Sequence, residues 1–208
     1  MACPDWSADA TPAEETLILA GVFRVHESTL RTAKVNTPDH GTLKTWHKIL
    51  FEKVVPLWYY AGHFRGLDPR YECLQGFAHI DGKFGFPPNL VAESMRLLGS
   101  NLRINDRELN QYLKRELRTE YQTVAKIMMV AGVVGTFIQI HPFANGNGRT
   151  SRLLANHLCH RYGLEMPFIN PSRRPPNAAY ALAGRAAMDG DFKPLFQYIL
   201  DAVHGRLP

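Results

Sequence analysis

Hydrophobic positions along this chain recur mostly at three- and four-residue spacing, the period of a helix with one buried face. Thr11-Pro12-Ala13-Glu14 predicts a helix start, with Thr11 as N-cap, Pro12 in the first turn and Glu14 closing a capping box. That helix is expected to run to about His26. Pro38-Asp39-His40-Gly41 reads as a turn. After it, Leu43, Trp46, His47, Leu50, Phe51 and Val54 mark an amphipathic helix with a wide apolar face. Between Leu74 and Phe86 the pattern changes, and two short segments flank Asp81-Gly82, a strong hairpin signal. Asn89 predicts the cap of a helix to about Leu98, and Asp106 the start of a long helical stretch. The later part of that stretch, Val124 to Ile140, is apolar almost all round and predicts the middle of a bundle. Further helices are expected over 150–162, stopped by Gly163, over 177–188 and over 192–204, with a loop over 167–176. The expected fold class is therefore mainly α, a helical bundle with one β-hairpin. Residues 1–10 are expected to be a loose tail and residues 11–208 a single domain.

With 208 residues, 45% of them hydrophobic, the chain can bury a substantial core. A formal net charge of +5 favours an anionic ligand such as a nucleotide. No basic run marks a nucleic-acid tract, so no nucleic-acid partner is expected. Cys3, Cys73 and Cys159 are widely spaced and odd in number. They predict free thiols in a reducing compartment rather than a disulfide framework or a zinc site. The histidines lack ligand spacing, so a structural metal is not expected. The first ten residues have no basic segment followed by an apolar run, and Lys126, Gly132 and Gly135 interrupt the apolar stretch. These features set the expectation of a soluble cytoplasmic protein without a membrane partner; delivery into another cell by a specialised machine is compatible with them.

The chemistry concentrates in His141-Pro142-Phe143-Ala144-Asn145-Gly146-Asn147-Gly148-Arg149-Thr150-Ser151-Arg152. Gly146 and Gly148 permit a backbone that aims successive N–H groups at one anion, and a helix starting just after adds its positive end. Arg149 and Arg152, three apart, share a helical face and suit two phosphates of a diphosphate. His141 is an imidazole able to take a proton near neutrality. Phe143, apolar between polar positions, is expected to anchor the loop in the core. Singly these features are commonplace: a surface histidine, a Gly-Asn-Gly turn, two solvated arginines. Their conjunction after a buried helix is not.

This segment resembles the signature of the Fic family, His-x-Phe-x-(Asp/Glu)-Gly-Asn-Gly-Arg-x-x-Arg, with His141, Phe143, Gly146, Asn147, Gly148, Arg149 and Arg152 matching. The resemblance extends over a core of about residues 40–204. Leu43 to Phe51 resembles the family's helix before its Ala-Gly-x-(Tyr/Phe)-Arg element, here Ala61-Gly62-His63-Phe64-Arg65. The resemblance implies a Fic-type helical bundle whose hairpin, Gly76, Phe77, Ala78, His79 and Ile80 included, is a target-docking flap. It implies a protein nucleotidyltransferase moving AMP from ATP to a hydroxyl of a target protein, with pyrophosphate released. His141 is then the catalytic base. Gly146, Asn147 and Gly148 form the anion hole, and Arg149 and Arg152 hold the outer phosphates, with Arg152 placed to meet an inhibitory glutamate in regulated members. Asn177 and Tyr180 are candidates for a base pocket.

Asn145 is a departure, since the family carries an acidic magnesium ligand there, and a neutral amide should hold Mg²⁺ less firmly. Another donor (UTP or a phosphocholine-bearing nucleotide) and a catalytically impaired nucleotide-binding module are the alternatives. Many family members are held off by a helix bearing a Ser/Thr-x-x-x-Glu-(Gly/Asn) motif. Here only Thr11 to Glu15 approaches it, with Thr16 in the last position. A separate antitoxin-like inhibitory partner is the alternative.

Overall fold

The structure is a computed structural model that describes residues 3–6, 10–80, 82–165 and 178–206. Helix α1 spans Pro12–Thr32 and opens with the expected capping box between Thr11 and Glu14, outlasting its sequence estimate by a turn and a half. Helix α2 spans His40–Phe51, and Asp39, expected within a turn, is its N-cap, accepting the Thr42 N–H at 2.8 Å. The hairpin forms as expected: β1, His79–Ile80, pairs antiparallel with β2, Lys83–Phe84.

Helix α3, Pro88–Arg115, replaces the two helices expected over this stretch. Pro87, not Asn89, precedes its first residue. Asp106 caps nothing; it sits mid-helix, buried, where Arg161 holds it through bonds of 2.6 and 2.7 Å and Tyr162 donates at 2.9 Å. A carboxylate that looks like a helix start is therefore a core anchor, its pKa lowered overall although burial works the other way.

The chain reverses at 116–118, and helix α4, Thr119–Ile140, runs back through the centre. It packs against α3, α5 (Asn147–Tyr162), α6 (Ala178–Met188) and α7 (Lys193–Val203). By length and composition α4 is apolar enough to cross a membrane, and in the structure those four helices pack against it while Tyr121 and Met128 stay exposed. Ile127, Val130, Val134, Phe137 and Ile140 fill the core there. Helix α5 packs back against α4 and α1, so the segment between α4 and α5 is held at both ends by buried helices.

Two expectations about the N-terminal region and the cysteines are corrected. Cys3 and Cys73 form a disulfide; only Cys159, buried, is free. Residues 3–6 are not a loose tail. The Trp6 indole lies against His47, Phe51 and Tyr60, and the Tyr60 hydroxyl donates to the Pro4 carbonyl at 3.1 Å. Sequence spacing misses the bridge because its cysteines are 70 residues apart and meet only once the bundle has closed. The reducing-compartment reading thereby loses its support from cysteine usage.

Candidate active site

Helix α4 ends on His141, which has a left-handed backbone with φ 51° and ψ 61°. For a non-glycine residue this costs free energy and must be held by its surroundings. The side chain is 7% exposed. Burial, assisted by the nearby Arg65 charge, pushes its pKa down to about 4. The imidazole is therefore neutral at neutral pH, the form that accepts a proton, and Nδ1 has no hydrogen-bond partner among the described residues.

The loop after it is fixed from beneath. Phe143 is fully buried, as expected, and stacks on the His47 ring at 3.7 Å with the planes 11° apart. His47 accepts the Gly62 N–H on Nδ1 at 3.0 Å. That acceptance leaves Nε2 to carry the proton and donate to the Asn145 carbonyl, 2.9 Å away. Burial drives the His47 pKa down to about 3, so this tautomer persists across the physiological range. The periodicity correctly placed His47 on the buried face of α2, yet gave no sign that it holds the motif loop.

Gly146 has φ 76°, and a Cβ there would lie 2.4 Å from Phe51 Cε2, so both conformation and space demand glycine. Helix α5 begins at the next residue, Asn147, inside the motif rather than at Thr150. The amides of Asn147, Gly148 and Arg149 form its first turn, and no side chain among the described residues caps them. This is the positive end of a helix presented to an anion. The Asn147 side chain faces the other way, accepting from Phe143 N–H at 3.0 Å and donating to Phe143 O at 2.9 Å. Its side chain is spent inside the loop, and only its backbone N–H stands at the helix start. Gly148 lies within the helix, so its freedom of φ is not used; its missing side chain leaves room beside Arg152 Nη1, 3.6 Å from where a Cβ would sit.

The two arginines differ in their engagement. Arg149 Nη2 donates to Glu15 of α1 at 2.5 Å. Arg152 is buried, its guanidinium folded back toward the start of α5. Glu15 therefore meets Arg149, where the family resemblance had pointed to Arg152. Tyr180 is buried on α6 with its ring against Tyr198 and its hydroxyl 3.5 Å from Ser151 Oγ. Asn177 lies outside the described residues.

Asn145 does not present a metal ligand. Its Oδ1 accepts the Gly146 N–H at 2.6 Å, and its Nδ2 donates to the Trp6 carbonyl at 2.9 Å. Both ends of the amide are committed, and no cluster of three acidic, His or Cys side chains stands anywhere among the described residues. Magnesium seeks carboxylate and phosphate oxygens. This donor set does not fit a protein-held divalent cation.

The hairpin lies beside His141. The Phe86 N–H donates to Ile140 O at 3.2 Å, and a Cβ on Gly85 would lie 2.5 Å from His141 Cβ. Phe77 and Phe84 are exposed on it. Lys83 forms an ion pair with Asp189 after α6.

A helical bundle that delivers a buried histidine beside an uncapped, arginine-bearing helix start has a Fic-type fold. The Fic/DOC family profile matches residues 37–159, and the chain belongs to that family. The protein adenylyltransferase Fic of Drosophila melanogaster is 34% identical over 100 residues, 48% of this chain and 20% of that protein. The Drosophila virilis protein of the same name is 40% identical over 70 residues, 34% of this chain and 14% of that one. The matched region thus spans a fifth or less of these relatives. A Fic domain-containing signalling protein from Bacteroides thetaiotaomicron superposes with a TM-score of 0.60 at 19% identity, covering 98% of this chain and 78% of that one. BepC, a VirB-translocated effector from Bartonella tribocorum crystallised with AMPPNP, superposes with a TM-score of 0.55 at 18% identity, covering 89% and 85%.

Proposed function

We propose that this chain is a protein nucleotidyltransferase that moves AMP from ATP to a hydroxyl side chain of a target protein. The carrying observation is the neutral, buried His141 held beside the uncapped first turn of α5. In the reaction the target hydroxyl oxygen attacks the α-phosphorus and its proton passes to the His141 imidazole. The bond from the α-phosphorus to the bridging oxygen breaks and pyrophosphate leaves. The amides of Asn147, Gly148 and Arg149 meet the phosphate charge, and Arg152, with Arg149 once released from Glu15, meets the outer phosphates. The names of the relatives and the AMPPNP in BepC support a nucleotide donor. The target binds along the hairpin, where Gly76 to Ile80 offer main-chain groups to an extended segment.

A specific observation favours inhibition from within the chain over a separate antitoxin-like protein: Glu15 occupies Arg149. The capping box explains Thr11 and Glu14, but it gives Glu15 no task.

The test is incubation with labelled ATP, UTP, GTP and CTP, with His141→Ala as control. Label is expected from ATP and lost in the variant; transfer that survives His141→Ala sinks the assigned mechanism. Label from UTP alone would move the donor, and nucleotide binding without any transfer would leave only a binding module. The pH profile adds a second check. His141 must be unprotonated, so kcat/KM holds above its folded pKa and falls as pH drops through about 4, where an ordinary histidine would lose activity near 6.5.

A further inference from the structure

Arg65 is 2% exposed and has no carboxylate partner among the described residues. Its guanidinium instead donates to four backbone carbonyls. Nε reaches His141 O at 2.9 Å, Nη1 reaches Gly76 O at 3.2 Å, and Nη2 reaches Phe86 O at 3.0 Å and Ile140 O at 3.1 Å. Its own N–H donates to Pro142 O at 2.8 Å. Two of these acceptors are carbonyls at the negative end of α4, where a cation is favoured and where the helix itself supplies no donor. The other two, Gly76 and Phe86, lie where the chain enters and leaves the hairpin. One planar fork therefore grips the histidine, the helix end that carries it and both roots of the hairpin.

We propose that Arg65 is a positioning residue that holds His141 in its left-handed conformation and locks the hairpin to it, so that base and docking edge keep one register. As an account of catalysis this rests on the transferase reading above. A flexible surface loop would let a hydroxyl drift relative to its base. A buried fork with fixed donor directions does not, and lysine, a point charge with no planar fork, cannot copy it. Arg65 is also the charged side chain that bears on His141, disfavouring its protonated form.

The experiment needs no target and no turnover. In Arg65→Lys and Arg65→Met, amide exchange at Gly85 and Phe86 is expected to rise by about tenfold or more, because Phe86 donates to Ile140 O inside the clasp. In Arg65→Met the His141 ring, followed by NMR, is expected to titrate above about 4, toward 6.5. ATP affinity, measured by calorimetry, stays within about threefold, since the α5 first turn is untouched. Unchanged exchange at Phe86 in a folded variant overturns the proposal, and so does loss of ATP affinity in step with exchange, which marks general loosening. If neither variant folds, Gly85→Ala decides on the same readouts, because its Cβ would lie 2.5 Å from His141 Cβ and 3.1 Å from Arg65 Nη2 and so wedge the fork from the hairpin side. A wild-type protein that transfers no label would defeat the proposed activity and leave this test standing.

Discussion

At the residue scale, Asn145 shows how one atom changes a site. In an acidic side chain both oxygens accept; here Nδ2 donates to Trp6 O and ties residues 3–6 to the motif loop. Asn145→Asp removes that donor and sets a carboxylate against a carbonyl oxygen, a loss of about 1–3 kcal/mol for a partly buried pair. The variant is expected to melt a few degrees lower by calorimetry. It is also expected to make label transfer rise with magnesium, because the freed carboxylate can share the ion with the nucleotide phosphates. No gain at any magnesium concentration would show that position 145 is not a latent metal site. The same position shows where reading residues one by one stops. The missing carboxylate is plain in the sequence, but its replacement by a bond to Trp6 depends on a segment 139 residues away.

At the element scale, α1 meets the site end-on. Its first turn projects Glu15 onto Arg149, a pair with side chains 35% and 21% exposed. A nucleotide that uses Arg149 has to displace this carboxylate. Glu15→Gln is therefore expected to tighten ATP binding by about three- to tenfold, in keeping with an ion pair of modest net strength. Calorimetry checks it, and unchanged affinity would make the contact incidental. The capping box made α1 legible, and the apolar spacing made α2 and α4 legible, one by its stripe and the other by its nearly unbroken apolar run. Such local signals failed at α3, where Asn89 and Asp106 imitate helix starts. A mid-helix aspartate is distinguished from a cap by its partners, and Arg161 and Tyr162 lie more than 50 residues away.

At the scale of the whole molecule, the disulfide closes a loop of 70 residues from the N-terminal segment to the chain just before the hairpin. In the chain-entropy picture such a loop contributes about 4 kcal/mol through the unfolded state. Cys73→Ser, or reduction, is expected to lower the melting temperature markedly while far-UV circular dichroism stays helical. Trp6 fluorescence should change as the indole leaves His47, Phe51 and Tyr60. Retained Trp6 emission and an unchanged melting point would show that the strap holds without its covalent tie.

The sequence by itself determined the helical class, the hairpin, the central course of α4 and the motif with its histidine, glycine turn and arginines. All of these follow from local periodicity or from residues within a short stretch of chain. Tertiary structure alone decided that His141 is neutral, that His47 and Arg65 hold the loop and hairpin, that Glu15 occupies Arg149, and that Asn145 binds Trp6. Each depends on burial or on a backbone carbonyl brought from elsewhere in the chain. Carbonyls are identical at every position, so no pattern of side chains announces which one a buried donor will find.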